Sequence, residues 1–144
     1  MGRLRRPGVR KIALPPAHPV AYNRRRMHQE RLAKLTEALR NIQQVLIARY
    51  QPERIYLFGS MASGPVLQWS DIDLVVVKET QLPFLARLKE IALLCKAPVG
   101  VDYLVYTPAE FEAMVAGKNP FIVHEVLGRG KLLYERQPAA TVAG

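Results

Sequence analysis

The chemistry of this chain is concentrated in three aspartates. Asp71 and Asp73 stand two residues apart in Asp71-Ile72-Asp73-Leu74-Val75-Val76-Val77. The valines predict a strand over 71–77 that becomes fully buried at its end. Residues two apart on a strand face the same side. Both carboxylates therefore share one face, and Ile72 and Leu74 turn to the other, into a core. Adjacent carboxylates repel one another unless a cation lies between them, and their oxygens suit a hard ion such as Mg²⁺. Asp102 is the single charge in a second predicted strand, Val99 to Val105. A lone buried carboxylate is costly unless it is paired or binds metal. With the two strands side by side, the three carboxylates converge and can hold two Mg²⁺ ions for an in-line phosphoryl displacement.

A phosphate cradle lies just upstream. Gly59-Ser60 ends the β-rich run Arg54-Ile55-Tyr56-Leu57-Phe58 and is expected to open a short helix. A glycine lets the backbone approach a phosphate closely, a helix start offers free N–H groups, and Ser60 adds a hydroxyl. Taken singly, a Gly-Ser pair is an ordinary turn, an Asp-x-Asp an ordinary strand end and Asp102 an ordinary ion-pair partner. Ten residues separate Ser60 from Asp71, and the strand context on both sides gives the combination its weight.

The elements that must position these residues follow from periodicity. From Met27 to Tyr50, apolar residues recur at Leu32, Leu35, Leu39, Ile42 and Leu46, one face of an amphipathic helix that Pro52 ends. A helix is expected from Leu82 to Leu94, apolar at Leu85, Leu88, Ile91 and Leu94. Thr107 caps another that begins at Pro108 or Ala109, with Glu110 in its first turn. Asn119-Pro120 starts a short helix through Leu127, stopped by Gly128 and Gly130, and Lys131 to Tyr134 forms a last strand. The order helix, strand, loop, strand, helix, strand, helices, strand predicts an α/β (α+β) domain with a small mixed sheet flanked by helices.

Composition bounds the remaining classes. The 144 residues suit one domain. No apolar run is long enough for a transmembrane helix, no secretory signal pattern opens the chain, and the single Cys95 permits no intrachain disulfide. A cytoplasmic protein is expected. The net charge of +9 is unevenly spread: residues 1–26 hold eight basic side chains and no acid, while the other 118 carry thirteen basic and twelve acidic ones. Residues 1–26 thus read as a basic, disordered arm able to touch nucleic acid or an acidic surface. The domain spans 27–136 and a loose tail 137–144. Cys95 reads as a small packed side chain. His18, His28 and His124 show no metal spacing. Trp69, beside Ser70-Asp71, is either a loop anchor or a stacking surface for a base.

Leu57-Phe58-Gly59-Ser60, ten residues, then Asp71-Ile72-Asp73-Leu74 resembles the signature of the DNA polymerase β-type nucleotidyltransferase superfamily. Size and the Phe-Gly-Ser opening are similar to its minimal nucleotidyltransferases, the MNT group. The resemblance covers roughly residues 30–135 and implies a polymerase β palm-like fold. It also implies that Gly59 and Ser60 bind the triphosphate of a donor such as ATP, and that Asp71 and Asp73 hold Mg²⁺. Asp102 matches the third acidic position, which joins a metal site and helps activate the attacking hydroxyl. Many MNT proteins act as antitoxins beside a HEPN-domain toxin, and some transfer AMP from ATP onto it. The implied activity here is Mg²⁺-dependent transfer of AMP to a hydroxyl of such a partner. The sequence departs from the family at Met61 and Ser63, where Gly-Ser-Arg-Ala-Arg-Gly is common. Arginine is the natural bidentate phosphate ligand, so the work would shift to Lys78, Lys118, Arg129 or Lys131. A binding-only antitoxin therefore stands as the alternative. A small-molecule transferase of the aminoglycoside type ranks lower, because the chain has little room for an acceptor domain.

Overall fold

The computed structural model describes residues 19–138; the ends of the chain, including residues 1–18 of the expected arm, lie outside them. Helix α1 (Pro19–Val45) continues through a wider π-type turn at Leu46–Tyr50. It starts eight residues before Met27, where the apolar stripe alone placed its beginning. Proline suits a helix start, since its missing N–H has no intrahelical partner there, and Val20 to Arg26 continue the helix without touching the core. Strand β1 (Arg54–Phe58), the single turn α2 (Ser60–Ser63), β2 (Ile72–Val77), α3 (Phe84–Cys95), β3 (Val101–Tyr106), α4 (Pro108–Ala116), the π-type helix α5 (Phe121–Gly128) and β4 (Lys131–Glu135) follow. The predicted α/β architecture is the one observed.

The sheet order is β3-β2-β1-β4. β1 runs antiparallel to both β2 and β4, and α3 carries the chain across to β3, parallel to β2. One face packs on α1 and α3: Leu35, Ala38, Ile42 and Leu46 meet Ile55, Leu57, Ile72, Leu74, Val76, Val105 and Ile91. Burying a side chain such as Leu35 or Ile42 contributes about 2 kcal/mol. Leu32, expected in this stripe, lies at its exposed edge. Leu85 is 76% exposed; it sits a third of a turn from Ile91, on the outer side of α3. The opposite sheet face packs Tyr56, Val75 and Val77 against Phe111, Ile122 and Val126 of α4 and α5.

Local chemistry fixes the joints. Thr107 Oγ1 accepts from the Glu110 N–H at 3.1 Å, and the Glu110 carboxylate accepts from the Thr107 N–H at 2.8 Å, a reciprocal cap for α4. Asn119 Oδ1 accepts from the Ile122 N–H at the start of α5. Leu133 bulges out of register between the pairs Ile55–Tyr134 and Tyr56–Leu132, and Gln43 of α1 donates to its carbonyl at 3.3 Å. Arg87 is the one charged side chain buried among the described residues. Its guanidinium donates to the Leu82 and Val105 carbonyls and to both Glu110 oxygens, tying α3 to β3 and α4.

Candidate functional site

The parallel pairing of β2 and β3 sets Asp73 directly opposite Asp102, and the antiparallel pairing of β1 and β2 sets Phe58 opposite Asp73. Alternation turns Asp73 and Asp102 to the face that α4 and α5 cover, but at the end where that cover stops. The two carboxyls stand close enough for each to act on the other. The Asp73 carboxyl is pushed up to about 6, chiefly by burial, then by the Asp102 carboxyl, then by the charge of Asp71. Asp102 is exposed rather than buried. The apolar run around it reads as an interior strand, but β3 is an edge of the sheet.

Asp71 stands just ahead of β2. Its carboxylate takes a 3.3 Å ion pair from Arg31 of α1, and Arg31 also donates to the Ser70 carbonyl at 2.8 Å. The same carboxylate lies over Gly100, where a Cβ would come within 2.7 Å of Asp71 Oδ1. The structure thus brings Asp73 and Asp102 together and leaves Asp71 turned toward Arg31. Among the described residues, no three His, Cys, Asp or Glu side chains are gathered into one metal-binding group.

Gly59 closes the site from the other side. Its φ of +74° and ψ of −158° belong to a region essentially restricted to glycine, and a Cβ there would run into Asp73 Oδ2. The Ala62 and Ser63 N–H groups return to the Gly59 carbonyl at 3.0 and 3.1 Å. That leaves the Ser60 and Met61 N–H groups at the open start of the turn, without intrahelical acceptors. Gly59→Ala is expected to destabilise the fold by about 2 kcal/mol and to push the Asp73 carboxylate aside. A lowered melting temperature together with a weakened response to divalent cations would show both effects; an unchanged melt would contradict the geometry.

The cations named as substitutes for the missing arginines fare differently. Lys78 donates to the Tyr50 carbonyl at 2.6 Å and sits over the Tyr50 ring. It lies five residues beyond Asp73, just past the end of β2 and about 16 Å away along the strand direction, and so serves the far end of the sheet. Arg129 pairs with Glu125. Lys131 pairs with Leu57, at the same sheet end as Asp73. Lys118 precedes Phe121, whose ring meets Phe58 edge-on at 5.1 Å. Met61 and Ala62 pack against the core. Arg31 was not among the candidates: forty residues separate it from Asp71, and no local signal links them. Cys95 is half-buried and burial raises its thiol, in keeping with a packed, unreactive side chain. Trp69 is no loop anchor, being 71% exposed. Ser70 does that work: its hydroxyl accepts from the Leu67 N–H at 2.8 Å.

Asp73 on β2 and Asp102 on the neighbouring edge strand β3 thus lie beside the Gly59-Ser60 turn. The chain matches the family "Polymerase beta, Nucleotidyltransferase" over residues 40–139, and it belongs to that family. No curated protein sequence matches it significantly. The solved structures similar to it include two of low identity. One is a proposed nucleotidyltransferase from Sulfolobus solfataricus, with 23% identity, 86% of this chain and 94% of that one covered, and a TM-score of 0.46. The other is a mutant toxin–antitoxin pair, MntA-HpeT, with 22% identity, 67% and 72% covered, and a TM-score of 0.40. No helix among the described residues is long and apolar enough to cross a membrane.

Proposed function

We propose that the chain transfers a nucleoside monophosphate, AMP from ATP, to a hydroxyl of a HEPN-type toxin and so acts as its antitoxin. The observation that carries the transferase reading is the register of Asp73 against Asp102 facing Gly59 at the start of α2. The donor set fits Mg²⁺: it is all carboxylate oxygen, and like charges already crowd Asp73. Asp71, Asp73 and Asp102 would hold the metal, with Asp71 leaving Arg31 to do so. Bound Mg²⁺ supplies charge neutralisation on the triphosphate and the attacking oxygen.

The chain's own residues have distinct tasks. The Ser60 hydroxyl and the open N–H groups of α2 cradle donor phosphates. Asp102 accepts the proton of the attacking hydroxyl as its oxygen bonds to the α-phosphorus and the α–β phosphoanhydride bond breaks, releasing pyrophosphate; the exposed position of Asp102 on the edge strand leaves room for an acceptor to approach. The acceptor class rests on the resemblance to MNT proteins. α-Labelled ATP and Mg²⁺ incubated with the chain and a HEPN-type toxin should label the toxin with wild type and not with an Asp71→Asn, Asp73→Asn variant. Absence of label with every nucleoside triphosphate would overturn the transferase reading.

Met61 favours the second reading. It packs on the core where a phosphate-binding arginine is common, so neutralisation of the toxin by binding alone remains the alternative. A double variant that still protects cells would establish it.

A further inference from the structure

We propose that the groove between the projecting start of α1 and the loop before β2 binds single-stranded nucleic acid, with a base stacked on Trp69. This goes beyond nucleotidyl transfer and does not depend on it.

The groove has a volume of about 410 Å³ and is lined by Arg24, His28, Leu67, Gln68 and Trp69. The loop contributes the apolar side chains of Leu67 and Trp69, the helix contributes the Arg24 guanidinium, and Trp69 stands two residues before Asp71. Trp69 is the only tryptophan in the chain, and it leaves most of its ring in solvent at the lip. Exposing so large an aromatic surface forgoes stabilisation that burial would give. The loop does not need the ring for its own shape, because Ser70 and Arg31 hold the backbone on either side.

The charge around the groove selects the occupant. From Pro19 to Glu30, α1 carries Arg24, Arg25 and Arg26 against the single acid Glu30, which pairs with Arg26. Arg24 remains as a cation beside the ring, Arg25 follows it on the helix, and five more basic residues precede them in the chain without an acid. An aromatic platform beside a run of guanidinium groups matches alternating bases and phosphates. An acidic peptide would use the charges but not the ring. A duplex hides its base faces, so it too would leave the ring unused.

The sole tryptophan makes the test direct. The full-length protein is titrated with a fluorescein-labelled oligothymidylate of about a dozen nucleotides. The titration is run in EDTA without nucleoside triphosphate, so that its failure is separate from failure of the transferase reading. Binding should quench tryptophan emission. Trp69→Ala should weaken binding about tenfold with an unchanged melting temperature, since the side chain packs on little. Arg24→Gln should reduce the slope of log affinity against log salt by about 1. Three outcomes would overturn the proposal: binding without quenching, binding by Trp69→Ala within twofold of wild type, or a duplex bound as tightly as the single strand. Quenching by ATP alone at lower concentration than by the oligonucleotide would also overturn it and would assign the groove to the donor base.

Discussion

Asp73→Asn is expected to raise the melting temperature of the metal-free protein at neutral pH while removing nucleotidyl transfer. The two effects have one cause. The Asp73 carboxyl titrates at about 6, above its ordinary 3.8, so the fold prefers it protonated. The stability this gives is fully present below pH 3.8 and is lost as pH rises through about 6. At neutral pH the ionised pair repels across the β2–β3 register. Solvent screening at this half-open site keeps the penalty near 1–2 kcal/mol. Asparagine keeps the shape and loses the repulsion. Melts in EDTA should therefore show a variant advantage at pH 7.5 that shrinks at pH 4.5, and Mg²⁺ should stabilise wild type and not the variant. On the proposed function, loss of the Asp73 carboxylate is expected to cost about 3–5 kcal/mol of transition-state stabilisation, or about 10²–10⁴ in rate. An advantage independent of pH would refute the crowding of Asp73, and a fully active variant would remove Asp73 from the chemistry.

Arg87→Met should be the most destabilising of the conservative-volume substitutions away from the site, by about 3 kcal/mol, or about 10 °C in melting temperature. The side chain is 8% exposed, and its guanidinium meets the Leu82 carbonyl at 2.8 Å, the Val105 carbonyl at 3.1 Å and Glu110 at 2.7 Å. Methionine fills the volume and leaves those oxygens without their donor. Glu110 is half-exposed, so Glu110→Gln, which keeps part of the cap, should cost about 1 kcal/mol. The pH dependence has the opposite sign to that of Asp73. The Arg87 hydrogen bond, then the Thr107 N–H, hold the Glu110 carboxyl below its ordinary 4.5. Its contribution is present above pH 4.5 and is lost as pH falls through the lowered value. Wild type should thus lose stability in acid more steeply than Arg87→Met. Parallel acid profiles would show that the pair is not coupled.

Much of this was legible in the chain. Arg54–Phe58 is a strand with the expected bounds, because β-rich residues lie between Pro52 and Gly59. The Thr107–Glu110 cap is local, three residues apart, and so can be read without a fold. The face shared by Asp73 and Asp102 follows from strand alternation once β2 and β3 are neighbours. What escaped is what depends on distant partners. A charge at Arg87 reads as solvated surface until Glu110 and two carbonyls are brought to it. Asp102 reads as interior because periodicity cannot tell an edge strand from a central one. The start of α1 was hidden by basic residues that read as a solvated arm, although proline at its head is compatible with a helix. The Arg31–Asp71 pair joins elements forty residues apart, and only the packing of α1 creates it.

The matched ladder of β2 and β3 has a consequence for how related chains can vary in length. Each residue of one strand faces one of the other, from Ile72 and Val101 to Val77 and Tyr106, so the spacing of the Asp73–Asp102 pair is that of the sheet itself. Residues can be added or lost between Gly64 and Ser70, or in the turns around α3, without altering that spacing. A single residue gained or lost inside either strand turns one carboxylate to the opposite face, into the apolar layer beneath α1 and α3. Length variation among relatives should accordingly crowd into the connections and stop at the two strands.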